Sequence, residues 1–212
     1  LVHIAALAGH SENLVKATVK NIMVAVIKAP NPSLAPFLES CAFHEFLVSL
    51  IRELLAKTEE VETLVLTPLR EKQLQNAILD LGDLMDYLRD VLSSLKTHFP
   101  PLHDFLLFCF QLFYLVQLLL PLLRYDLKIK PQVNIGLNCG LFVLNRLLVL
   151  TEHLEDLERS SLAPLFFRNK MLSPWVQSFD FQMVESPADI INFYYNFSKL
   201  PEKDKPSKFS LF

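Results

Sequence analysis

Four aspartates, Asp80, Asp83, Asp86 and Asp90, recur three to four residues apart and so share one sector of a helix. Carboxylates in that arrangement suit general acid–base catalysis, a metal cage, or a surface that meets basic partners. The first two need more than acids: an apolar pocket around one carboxyl group, or a Glu-x-x-His pair, and the local sequence supplies neither. A solvated acidic face is the expectation, with Asp83 and Asp90 as candidate contacts for a basic partner surface.

The other ligand-type residues are more scattered. His98 and His103 flank Pro100 and Pro101, next to Asp104, and are expected to be capping or solvent-facing groups at a helix corner. His3, His10, His44 and His153 are dispersed, and His44-Glu45 lacks the second histidine, four positions on, of a zinc-binding helix. Cys41, Cys109 and Cys139 have no CxxC spacing and lie in apolar stretches, so they read as small core residues of a reducing compartment. No Gly-x-Ser-x-Gly elbow, phosphate-cradling loop or dinucleotide fingerprint occurs. The expectation is therefore a non-enzymatic protein with no catalytic residues, no cofactor and no metal.

The elements that carry these residues follow from composition and periodicity. The chain has 212 residues, 51% of them hydrophobic and 20% charged, which is ample for a folded core. Only 4 glycines accompany 13 prolines, which argues against Rossmann units, barrels and propellers, whose turns need repeated positive φ. With 20 basic and 23 acidic residues, a net charge of −3 offers no broad attraction for nucleic acid or an anionic membrane. Lys203, Lys205 and Lys208 alternate with Glu202 and Asp204 and read as a solubilising segment.

Prolines and capping residues divide the chain into helices. Ser11 is placed to cap a helix from about 12 to 28 with Val15, Val19, Ile22 and Val26 on one face, closed by Pro30 and Pro32. A second, over about 41–57, carries Phe43, Leu47, Leu50 and Leu54 as an amphipathic stripe. Thr67 and Pro68 open a long helix whose Leu74, Ile78, Leu81, Met85, Leu88, Leu92 and Leu95 form a seam toward a partner helix. Pro100 and Pro101 turn the chain into an antiparallel hairpin with 102–124, and 125–133 is a polar connection. Asn134 caps a further helix with Leu137, Leu141, Leu144 and Leu148 inward, ending in the charged stretch 152–159. Ser186, Pro187 and Asp189 form a capping box for a last helix to about 200, while 179–185 alternates weakly and is compatible with an extended segment.

The expected fold is thus all-α, one helical domain over 1–200 and a solvated tail over 201–212 with an apolar end. This succession of helices resembles irregular α-solenoids of the armadillo/HEAT type, without a strict internal repeat. The resemblance implies a scaffold or adaptor that binds other proteins within a multi-subunit complex through helix faces. Aromatic side chains nominate the contact surface: Trp175, Phe179, Phe181, Phe193, Tyr194 and Tyr195, with the tail residues Phe209, Leu211 and Phe212. The alternative class is an integral membrane protein built around 105–123, which has 19 uncharged residues and approaches a membrane span; a third is an enzyme or regulatory subunit whose site is assembled from distant elements. Gly136 and Gly140 have the small-xxx-small spacing of a close helix crossing. The chain begins in the apolar stretch 1–8 without an initiating Met, so it is expected to be a segment of a longer, intracellular polypeptide, cytoplasmic or nuclear.

Overall fold

The computed structural model describes residues 1–29, 31–67, 70–115, 135–151 and 186–199. Among them are eight α-helices and no strand: α1 (Val2–Ala6), α2 (Asn13–Lys28), α3 (Ala35–Leu38), α4 (Cys41–Val65), α5 (Glu71–His98), α6 (Pro100–Phe110), α7 (Leu137–Thr151) and α8 (Pro187–Ser198). The all-helical expectation holds for these residues.

The helix at the centre is α4. Ser40 caps it, its hydroxyl accepting from the Phe43 N–H at 3.4 Å. Phe43, Phe46, Leu47, Val48, Leu50, Ile51, Leu54 and Val61 are all buried, a stripe wide enough to face several neighbours at once. Helices α1, α3, α5, α6, α7 and α8 all pack on it. The expected end at Lys57 is overturned, because α4 continues to Val65. Two interactions explain the extra turns. Lys57 is held sideways by Glu60 at 2.8 Å and by Asp80 of α5 at 3.2 Å. Thr58 satisfies its buried hydroxyl by donating to the Leu54 carbonyl at 2.8 Å. What reads as a charged terminus is the solvent edge of a continuing helix.

Thr67 does not cap the next helix; its hydroxyl donates back to the Thr63 carbonyl at 2.7 Å and finishes α4. Pro68 lies outside the described residues, and α5 starts at Glu71. The seam along α5 is as the spacing predicts, with Leu81, Met85, Leu88, Leu92 and Leu95 buried and Leu74 and Ile78 half-buried. Phe99 leaves helical geometry at φ −142° and ψ 69°, and Pro100 and Pro101 take the first positions of α6, where a missing N–H costs nothing. The hairpin of α5 and α6 forms as expected, and every residue from Phe105 through Phe110 is buried. Burial continues through a π-helical turn, Gln111–Leu115.

Three further expectations change. Ser11 does not cap α2; Glu12 holds the cap position, and its N–H donates to His10 Nδ1 at 3.1 Å. The buried face of α2 is Val19, Met23, Val26 and Ile27, leaving Val15 and Ile22 half-buried. In α7 the inner face is Cys139, Val143 and Leu147, while Leu141 is 53% exposed and Leu144 is half-buried. Periodicity alone cannot choose a face on a helix that is apolar almost all round, so close fit chooses it. Small Cys139 lets α7 approach α4 until its Sγ–H reaches the Thr58 carbonyl at 3.7 Å. Asn134, the expected cap, and 152–159 lie outside the described residues, as do the side chains of Leu137 and Leu148.

At α8 the expected capping box is complete. The Asp189 carboxylate accepts from the Ser186 N–H at 2.8 Å and hydroxyl at 2.7 Å, and the Asp189 N–H returns to Ser186 Oγ at 3.3 Å. The assignment of faces on α7 is open to a direct check by urea unfolding. Leu147→Ala is expected to cost about 2–5 kcal/mol, and Leu141→Ala less than about 0.5 kcal/mol. Equal losses at the two sites would show that α7 is rotated from the position described.

Candidate functional site

The acidic face predicted on α5 exists, and its neighbours define it. Asp80 pairs with Lys57, Asp86 with Arg89 at 3.0 Å, and Asp90 lies 3.7 Å from the same guanidinium, while Asp83 is exposed. Burial alone would lower the Lys57 pKa, but its bonds to Glu60 and Asp80 outweigh that and raise it. Exposed pairs of this kind contribute at most about 1 kcal/mol each, so the face is not there for stability. Beside it, α4 and α5 diverge into an open groove of about 710 Å³. Glu59, Glu60 and Asp80 supply its carboxylates, Arg70 a cation, and Leu64 and Ala77 apolar wall. Sequence periodicity found the α5 acids but not the groove, because α4 was expected to stop before Glu59.

Two aromatic residues of α8, Phe193 and Tyr194, face the array. Tyr194 meets the Phe105 ring edge-on at 5.0 Å and Phe108 at 5.2 Å, and Phe193 stacks on Phe108 at 5.9 Å. Burial pushes the Tyr194 phenol up to about 12, helped by the negative charge of Asp104. Tyr195 is 42% exposed, and its hydroxyl lies 3.3 Å from His44 Nε2. His44 is buried, with Nδ1 2.9 Å from the Ser40 carbonyl and its ring against Phe105 at 4.8 Å. Sequence reasoning passed over His44, although its apolar neighbours Phe43, Phe46 and Leu47 signal a core position. Trp175, Phe179, Phe181, Phe209, Leu211 and Phe212 lie outside the described residues.

A buried polar cluster joins α4, the π turn and α7. Tyr114 and Thr58 share a hydrogen bond of 2.9 Å, and burial drives the Tyr114 phenol far above its usual range. Burial likewise pushes Cys139 up to about 11, with Glu62 adding to the effect, and raises Cys109 further still. Glu62 is 7% exposed, and its Oε2 has no hydrogen-bond partner among the described residues. A Cβ on Gly136 would sit 2.7 Å from Glu62 Oε1, so a side chain there would make the Glu62 carboxylate shift. Raised thiol pKa values make poor nucleophiles and metal ligands, so the cluster suits packing better than chemistry.

Two expectations about these groups are corrected. Cys41 is exposed at the first position of α4, not a core residue, because the stripe begins two residues later at Phe43. His103 is buried beneath the α5–α6 corner with Nδ1 3.3 Å from Asp104 Oδ1, whereas His98 is exposed. Among the described residues no group of three or more His, Cys, Asp or Glu side chains is arranged to hold a metal ion. No single helix among them is long and apolar enough to cross a membrane, though a pair bent by 65°, 32–38 with Cys41–Val65, has the length and composition. Of the apolar stretch 105–123, the part to Leu115 is buried within the array and 116–123 lies outside the described residues.

The buried cysteines predict a pH dependence. Cys139 has its pKa raised above the unfolded value of 9.0. Its contribution is therefore complete below pH 9 and is lost as pH rises toward about 11. Iodoacetamide at pH 8 is expected to alkylate Cys41 at least about tenfold faster than Cys109 or Cys139, read by peptide mass mapping. Comparable rates at the three sites would contradict the burial described.

Comparison with known proteins yields no match to a family model, to a curated protein or to a solved structure.

Proposed function

We propose that the chain is a non-enzymatic protein-interaction module, a scaffold or adaptor segment within a larger complex, built as an irregular armadillo/HEAT-like helical array. The observation that carries this reading is the groove between α4 and α5 together with the acidic face that continues from it. Asp80 belongs to both, so carboxylates run from Glu59 and Glu60 across the groove to Asp83, Asp86 and Asp90. Such a surface steers and orients a basic partner, while the apolar wall at Leu64 and Ala77 supplies area to bury. Large apolar side chains exposed in the same region, Leu66 at the end of α4 and Leu79 on α5, add to that area. The aromatic edge at Tyr195 is a second contact site on the opposite half of α4, to which Trp175, Phe179, Phe181 and the tail from Phe209 to Phe212 add further aromatic and apolar contacts.

The test is affinity capture of the protein with quantitative mass spectrometry, comparing wild type with the double variant Asp83→Lys, Asp90→Lys. A stoichiometric protein partner is expected, reduced at least about fivefold by the double reversal, with most of the difference abolished at high salt. Partner recovery indifferent to both the reversal and the salt would remove the acidic face from the proposal.

A further inference from the structure

The groove between α4 and α5 has two unlike ends. The ion pair of Lys57 with Asp80 at 3.2 Å sets the helices side by side and antiparallel, so Glu59 and Glu60 lie toward Asp80 at one end and Leu64 toward Arg70 at the other. At the first end three carboxylates meet the single ammonium of Lys57, and Glu59 has no ion pair among the described residues. At the second, Arg70 is exposed and likewise unpaired among them. Between the two ends the α5 wall offers the amides of Gln73 and Asn76, both exposed and neither bonded to a described residue. The size of the groove decides what shape of segment it seats. Ala56 to Leu64 covers about 12 Å of α4, and spread over that length 710 Å³ corresponds to a cross-section of about 60 Å². A helix with its side chains fills about 80–110 Å², whereas one extended strand fills about 50 Å². An extended segment also presents N–H and C=O groups that a helix keeps for itself, and Gln73 and Asn76 each bring both a donor and an acceptor to meet them.

We infer that the groove seats a short extended segment of another protein, with Lys or Arg at the end of Glu59 and Asp80 and with Asp or Glu at the end of Arg70. Four extended residues cover about 13 Å, which matches the length of the groove, so the two charges stand at the first and fourth positions. Successive side chains of a strand point to opposite faces, so one of the two residues between the charges turns onto the apolar wall of Leu64 and Ala77. The opposite charges of the two ends fix which end of the segment lies where, and they discriminate against a segment that is basic throughout. The inference rests on the reading of this chain as a protein-interaction module and names the segment that fills its groove; Asp83, Asp86 and Asp90 lie outside it.

The probes are fluorescein-labelled peptides with Arg-Val-Val-Glu or Arg-Val-Val-Arg set between paired glycines, titrated onto the full chain and followed by anisotropy. The first is expected to bind at least about fivefold tighter than the second, although the second is the better match to a chain of net charge −3. Equal or reversed order, or no binding of either peptide at about 1 mM, overturns the proposal. With Arg70→Glu in the chain the order is expected to invert, and an unchanged order overturns the assignment of the ends. Thr63→Trp fills the groove without altering its charge and is expected to weaken Arg-Val-Val-Glu at least about tenfold; undiminished affinity, with the fold verified by circular dichroism, places the peptide elsewhere and overturns it. Replacing both valines by α-aminoisobutyrate, which holds the backbone helical, is expected to weaken binding at least about fivefold, and equal or tighter binding overturns the extended form. Peptide binding as expected, with partner capture indifferent to the Asp83 and Asp90 reversals, would sink the acidic-face reading alone; the converse result would sink the groove segment alone.

Discussion

The packing of six helices on α4 is the constraint on which the rest of the array depends. A helix covered on most of its circumference must be apolar on those sides, and every polar group it keeps there must find a partner in the helix that covers it. Except at the Glu62 carboxylate, the helix meets this condition one neighbour at a time. Glu53 binds Lys20 of α2 at 2.9 Å, Lys57 binds Asp80 of α5, and Thr58 meets Tyr114 of the π turn. The Thr58 carbonyl receives the Cys139 thiol of α7, and His44 meets Tyr195 of α8. Apolar area supplies the drive to pack, at about 25 cal/mol for each Å² removed from water, and is indifferent to register. The polar contacts select where along α4 each neighbour comes to rest.

That division of labour has a functional consequence. Burial has moved the pKa values of Cys109, Tyr114 and Cys139 away from reactivity rather than toward it. The surfaces proposed for partners lie at the periphery: an acidic groove at the C-terminal half of α4 and an aromatic edge at its N-terminal half. The first is open, with exposed carboxylates and leucines. The second is carried by α8. One central helix therefore organises both candidate surfaces, and they lie far enough apart along its 25 residues to serve different partners.

Much of the fold is legible in the sequence where spacing and chemistry agree. The seam on α5, the proline corner at Pro100 and the capping box at Ser186 are each fixed by local physics, and each is found as expected. The readings that changed are those in which tertiary contact overrides local pattern. Lys57, Glu59 and Glu60 resemble a helix end until Asp80 is brought alongside; Thr67 resembles a cap until its hydroxyl turns back to Thr63. The face of α7 is decided by where small Cys139 permits approach to α4, which leucine spacing does not encode. The acids of the candidate surface were visible, but the groove they border needed the full length of α4, and the role of His44 needed α8 set against it.

Amide hydrogen exchange read by mass spectrometry tests the central place of α4 most directly. If α4 is the buried axis of the array, its amides between Leu47 and Val61 exchange only through global unfolding, while those of α8 exchange through a smaller local opening at a rate at least about tenfold faster. Exchange in α4 as fast as in α8 would contradict that axis.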